Sequence, residues 1–276
     1  MPPVPVAVNA MWVTDHHELT PVERYDDIYI KRDDLYTVAG VRGGKARTCR
    51  HIIESTPTSY THGVITGGAR KSPQVSIVAN IAKLLGVACR VHVPDGPTTP
   101  EIDSATEAGA EVVRHRPGYN SVIDGRAKRD AHESGWTLVP FGMRCAAAVT
   151  MTAGQVGNIP DDTKRIIMAV GSGMSLAGVI AGLGTTGRAI PVVGVVVGAD
   201  PRRNLDTYSP WWEQFATLVP AGVKYQDEVV AESPIPLDPI YEAKAWTFTE
   251  PGDLFWAVGH RDLVDCRVRL GYIPHW

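Results

Sequence analysis

Cysteine and phenylalanine are scarce in this chain, with four of each. Cys49, Cys89, Cys145 and Cys266 lie far apart, and no two form a CxxC pair. That spacing excludes a zinc ribbon and a disulfide-stapled scaffold. Reduced thiols in a cytoplasmic protein are the expectation. Long apolar runs are also missing: no stretch reaches the ~18 residues that a membrane helix needs. The opening "MPPVPVAVNAMW" has neither a basic start nor a continuous apolar segment, so it does not read as a signal peptide. Excess charge of one sign is absent too. The net charge of −3 gives no bulk attraction for nucleic acid or an anionic membrane. The local basic pairs Arg202–Arg203 and Arg267–Arg269 are the exceptions.

What is present is an ordinary globular balance. The 276 residues are 44% apolar and 21% charged, enough for one large domain or two moderate ones. There is no fixed-period repeat. β-branched runs alternate with helical patterns. "GVIT" (Gly63–Thr66), "CRVHVP" (Cys89–Pro94), "AEVVRH" and "RIIMAV" (Arg165–Val170) read as strands. Val75, Val78, Ala79, Ala82 and Leu85 follow helical spacing. Ser72 fits the N-cap of that helix, Pro73 its first position and Gly86 its end. A second series runs from "WTLVPF" (Trp136–Phe141) through "GSGMSLAG" to "PVVGVVVG". This order predicts an α/β fold of mostly parallel sheets flanked by helices. Pro201–Pro239 is proline-rich and irregular, with weak helix signals around Trp211–Leu218, and reads as a connector or flap.

Four stretches can carry chemistry. In "VGSGMSLAG", a strand, a glycine turn and a helix start gather backbone N–H groups at one point, which suits a phosphate. Leu176 stands where a dinucleotide fingerprint has its third glycine, so a tight packing turn is the competing reading. In "GVRGGKAR", the spacing from Gly40 is one residue short of a Walker loop, and Ala46 follows the lysine. Lys45 is then either an exposed loop lysine or a nucleophile. The small residues around it clear space. A helix start behind it and the cations Arg42 and Arg47 beside it would lower its pKa. "GGARKSPQV" offers a second anion site of carboxylate size, or an ordinary capped helix. In "DPIYEAKA", Tyr241 is a candidate proton-transfer group and Glu242 a partner for a ring nitrogen.

Taken in order, "YIKRDDL…GGK.R", "TGG…S", "VGSGMSLAG" and "LDPIYEAKA" resemble fold-type II pyridoxal-phosphate (PLP) enzymes, the tryptophan-synthase-β-like group. Within it the chain is most similar to the 1-aminocyclopropane-1-carboxylate deaminase and D-cysteine desulfhydrase family. The resemblance covers most of Tyr29–Gly259. It implies two α/β domains with PLP in the cleft between them: a large one (1–48 and 142–276) and a small one (49–141). It implies that Lys45 forms the Schiff base and that Gly171, Ser172, Gly173, Met174 and Ser175 cradle the phosphate. Glu242 would then meet the pyridine nitrogen and favour a quinonoid-type intermediate, with Ser72 and Tyr241 at the substrate.

The chain departs from the family at Pro73, which replaces an asparagine; Gln74 is the candidate to supply the missing amide. Val258-Gly259-His260 replaces a Thr-Gly-Gly, one residue is extra between Gly68 and Ser72, and the chain is shorter than typical members. The expected activity is a deaminase- or lyase-like reaction at Cα of a small amino acid, in a homodimer. The alternatives are a decarboxylase or isomerase acting on an amino acid tethered to a larger molecule such as modified phage DNA, and a non-catalytic phosphate-ligand-binding protein. The reading of the two glycines before Lys45 is that they leave room for a flat ring.

Overall fold

The computed structural model describes residues 13–259. His260, Cys266, Arg267 and Arg269 lie outside the described residues. The chain enters through an antiparallel hairpin, β1 (Val22–Tyr25) and β2 (Ile28–Arg32). The charged tetrad that follows the apolar run is buried, and its members are bonded. Lys31 donates to the Thr20 carbonyl and to Asn158 Oδ1, each at 2.7 Å. Arg32 bonds Asp34 and Glu23, and Asp33 pairs with the fully buried Arg47. Such pairs are structural: removing one partner from a buried pair costs about 3–5 kcal/mol.

A short ribbon, β3 (Thr37–Val38) with β4 (Val41–Arg42), leads into α1 (Gly44–Ser55) and the one-turn α2 (Thr58–Thr61). Next come β5 (Val64–Gly67), α3 (Pro73–Leu84), β6 (Cys89–Pro94), α4 (Pro100–Glu107), β7 (Glu111–His115), α5 (Asn120–Ser134) and β8 (Thr137–Val139). Their strands form a four-stranded parallel sheet in the order β7-β6-β5-β8. Val75, Val78, Ile81 and Ala82 of α3 bury one face of this sheet with Val64 and Val91. Ala127 and Ala131 of α5 close on Ile65 from the other. Sequence periodicity passed over α5, because its buried stripe is only Ile123, Asp124, Ala127 and Ala131.

The remaining elements are α6 (Ala146–Ala153), β9 (Arg165–Val170), α7 (Met174–Thr185), β10 (Val192–Val196), α8 (Arg202–Tyr208), β11 (Ala216–Pro220), α9 (Glu242–Trp246) and β12 (Asp253–Ala257). With the hairpin they form a six-stranded sheet, β1-β2-β12-β9-β10-β11, parallel except for β1. β9 and β12 are apolar after their paired first residues, Arg165 and Asp253, and wholly buried but for Arg165, as suits strands covered on both faces.

The expectation for Pro201–Pro239 needs correction. The segment is not irregular throughout, because it holds α8 and the edge strand β11. β11 is five residues, only partly buried, and closed by Pro220, so its local signal is thin. Pairing with β10 along Val192–Val196 is what makes it a strand. Among the described residues no helix is long and apolar enough to cross a membrane.

Candidate active site

Parallel sheets bind ligands beyond the carboxyl ends of their strands, where the strand order reverses. The small sheet reverses between β5 and β8, and the large one between β9 and β12. The residues after all four strands line one cleft of about 410 Å³: Ala69–Gln74 without Arg70 after β5, Phe141 and Gly142 after β8, Gly171–Ser175 after β9, and Val258 and Gly259 after β12. All ten residues singled out from sequence reach this cleft, including Lys45, Tyr241 and Glu242.

Lys45 is the second residue of α1. It is exposed between the buried Gly44 and Ala46. The glycines before it have a reason other than room for a ring. Gly43 has φ 89°, and a Cβ there would stand 2.7 Å from both Gly259 Cα and the Val258 carbonyl oxygen. The Gly44 N–H donates to that same carbonyl at 3.0 Å. The glycine pair therefore lets α1 start hard against the end of β12, which sets where Lys45 emerges. Arg47 does not act as a bare cation beside Lys45, since it turns down into the protein to Asp33 and the Tyr36 ring.

The loop after β9 is held from two sides. Ser172 Oγ donates to the Gly142 carbonyl at 3.1 Å. Asn204 Nδ2, from α8, donates to the Ser172 carbonyl at 2.8 Å. Gly173 sits at φ 86° and caps the twelve-residue α7. The first N–H groups of α7 and the positive end of its dipole point out of this loop. Gly171 has no space for a side chain, because a Cβ would lie 2.8 Å from Tyr241 Oη.

Tyr241 and Glu242 begin α9. The preceding Asp238 shapes their turn. Its Oδ1 accepts the Ile240 N–H at 2.8 Å, and its carbonyl accepts from Tyr241 and Ala243. Burial raises the Glu242 carboxyl well above the usual range, and the charge of Asp238 raises it further; Lys45 acts in the opposite direction. Burial, then the charge of Glu242, also raises the Tyr241 phenol. Burial thus shifts both groups toward their protonated forms.

Ser72 sits at the N-cap of α3, but its hydroxyl makes no capping bond. Ser72 itself lines the cleft. Gln74 is 2% exposed, and its amide is already engaged. Nε2 donates to Thr66 Oγ1 and to the Pro140 carbonyl, and Oε1 accepts from the Gly142 N–H, each at 2.8 Å. It ties the ends of β5 and β8 together rather than presenting an amide in place of the one missing at Pro73.

Sequence reading missed Lys71, Arg144 and Asn204, which line the same cleft. No local pattern marks them; the Asp-Pro turn signal at Asp238 was the one available clue to that residue's role. The expected basic pair Arg202–Arg203 is different: Arg202 is paired with Asp200 at 2.8 Å.

The profile of the family described as "Pyridoxal-phosphate dependent enzyme" matches residues 13–227. The chain belongs to that family. This PLP-dependent enzyme is 24% identical over 227 residues to a 1-aminocyclopropane-1-carboxylate deaminase of Rhizobium radiobacter, covering 74% of this chain and 67% of that one. It thus spans about two thirds of that deaminase's length. It is 25% identical over 276 residues to a glycyl-dTMP PLP-dependent decarboxylase of Pseudomonas phage M6, covering 87% of this chain and 98% of that one. The solved structure of an ACC deaminase homologue superposes with a TM-score of 0.75 at 21% identity, covering 89% and 91% of the two chains, a likeness of fold.

The cofactor of this fold-type II enzyme is pyridoxal 5'-phosphate. The cleft fits it. A glycine cradle without room for a Cβ stands at a helix N-terminus, a lysine opens into the cleft, and a buried acid shares the same wall.

Proposed function

We propose that this PLP-dependent enzyme breaks a bond at Cα of a small amino acid, in the manner of a deaminase or lyase. One observation carries the reading: Lys45, Ser72, Gly171–Ser175, Tyr241 and Glu242 stand on one cleft between the carboxyl ends of two parallel sheets. Pyridoxal 5'-phosphate, when bound, supplies an electron sink for the pair left behind at Cα.

The backbone of Gly171–Ser175 binds its phosphate at the start of α7. Lys45 Nζ is the amine that anchors it and that carries a proton to or from Cα. Glu242 would stand at a ring nitrogen and help keep a proton there. Tyr241 holds its phenolic proton beside the cradle and donates it. Ser72 Oγ receives the substrate carboxylate. Gln74 supports these groups by bracing the loops after β5 and β8. We place the domain division at 48/49 and 141/142, and expect a homodimer in the cytoplasm.

Purified protein mixed with PLP should develop a visible absorbance band. Borohydride should then fix the cofactor on Lys45, seen by peptide mass spectrometry, and Lys45→Ala should lose both. A panel of amino acids should release ammonia, a keto acid or carbon dioxide. An unchanged spectrum and no trapped adduct would sink the reading.

A second reading is decarboxylation or isomerisation of an amino acid tethered to a larger molecule such as modified phage DNA. It is favoured by alignment over 98% of the glycyl-dTMP decarboxylase, against 67% of the deaminase. Carbon dioxide without ammonia would select its decarboxylase form, and an isomeric product with neither gas its isomerase form. No observation favours a non-catalytic binding protein.

A further inference from the structure

We propose that Asn204 is a positioning residue for the cofactor phosphate: from α8 it fixes the direction of the Ser172–Gly173 peptide in the loop after β9. The inference rests on the reading of Gly171–Ser175 as the phosphate cradle. Its starting point is Gly173. A Cβ there would stand 3.1 Å from Pro201 Cβ and 3.2 Å from Leu205 Cγ, and φ is 86°, so the close seat of α8 requires glycine at this position. Glycine also permits either orientation of the peptide that precedes it. The N–H and C=O of a trans peptide point in opposite directions. One orientation thus turns the Gly173 N–H to a given side of the loop, and the other turns the Ser172 carbonyl there. An anion is attracted by the first and repelled by the second. A group outside the loop has to select between them.

Asn204 is that group. Its Nδ2 donates to the Ser172 carbonyl at 2.8 Å. A carbonyl only accepts, so the NH2 end of the amide is the end that faces it. With the carbonyl held by α8, the Gly173 N–H is turned the other way, and it meets no protein acceptor among the described residues. The Ser172 side chain does not set this peptide, since its Oγ donates its one proton to the Gly142 carbonyl at 3.1 Å. Nor is Asn204 needed to seat α8. Leu205 is fully buried, the N–H groups of Asn204 and Leu205 both bond the Pro201 carbonyl, and Tyr208 Oη donates to the Arg144 carbonyl at 2.9 Å. The Asn204 side chain is instead half-buried and lines the cleft together with Ser172 and Gly173. A stretch with no phosphate motif of its own thereby takes part in phosphate recognition.

The test titrates the full-length, cofactor-free protein with PLP and with pyridoxal, which lacks the phosphate, and reads the visible band. The unmutated protein should bind PLP more tightly than pyridoxal. Asn204→Ala should weaken PLP by about three- to tenfold, the loss of one ordinary hydrogen bond, and leave pyridoxal within about twofold of its starting affinity. Asn204→Gln keeps an amide and should recover part of the PLP affinity. Borohydride at saturating PLP should still fix the cofactor on Lys45 in each variant. If Asn204→Ala does not fold, the similarly sized and uncharged Asn204→Leu carries the test with the same expected direction. Equal weakening of PLP and pyridoxal would make Asn204 a structural tie alone and overturns the inference, as does unaltered PLP affinity in the folded variants. An unmutated protein that binds PLP no more tightly than pyridoxal overturns the underlying reading of the cradle, and this inference with it.

Discussion

Replacing Gly171 by alanine isolates the contact on which the proposed phosphate cradle depends. Gly171 is outside the left-handed region, so alanine brings no backbone strain and any effect is steric. The new Cβ would stand 2.8 Å from Tyr241 Oη, 3.3 Å from Cε2 and 3.4 Å from Cζ. The oxygen is the offending atom; the two ring carbons are only slightly tight. Either the phenol or the loop must shift, at a cost of about 1–3 kcal/mol for an overpacked site. Tm should then fall by roughly 2–4 °C per kcal/mol. If the loop is what moves, PLP affinity weakens by about 5- to 150-fold. Tyr241→Phe removes the oxygen, so it should rescue most of the damage. Alone it should cost about 0.5–1.5 kcal/mol for the lost hydroxyl interaction. Urea unfolding and PLP titration of wild type, both single variants and the double variant complete the cycle. Additivity within about 0.5 kcal/mol would refute the steric reasoning.

Ser72→Ala should change stability by less than about 0.5 kcal/mol, instead of the typical ~1 kcal/mol of a lost cap, because the hydroxyl does not cap α3. It should instead raise KM for the amino acid; a cap-sized fall in Tm would contradict this. The Glu242 carboxyl is raised well above its unfolded value near 4.5. The folded state thus binds more protons than the unfolded chain above that pH, and stability falls as pH rises through the window. Glu242→Gln should abolish that slope. In cofactor-free protein its urea midpoint should gain on wild type between pH 5 and pH 8, and a pH-independent difference would show a normally titrating carboxyl. The same variant should bind PLP more weakly.

Much of the scaffold was legible before any coordinates. β6 and β9 fall where their β-branched runs begin and end, and α3 starts at Pro73 behind Ser72. These elements announce themselves because a buried strand or an amphipathic helix repeats its apolar residues at a fixed short period. α5 and β11 were not legible. One buries a thin stripe with two alanines, and the other becomes a strand only beside β10. The residues that share the cleft were legible as motifs, yet some of the structural reasons for them were not. Gly43 is glycine because the end of β12, more than two hundred residues later, presses on it. Gln74 faces the cleft but spends its amide on Thr66, Pro140 and Gly142.

The sequence by itself determined which groups this protein offers for the proposed chemistry: a lysine behind two glycines, a glycine-rich helix start, and a Tyr-Glu pair. Local chemistry and chain order suffice for that, since each motif is written within a few residues. Only the tertiary structure decided that the reversal points of two sheets face one cleft, that Arg47 is spent on Asp33, and that Arg144 of the cleft wall is paired with Asp124. Those outcomes depend on contacts between residues distant in sequence, and burial and charge pairing are properties of the packed chain rather than of any segment of it.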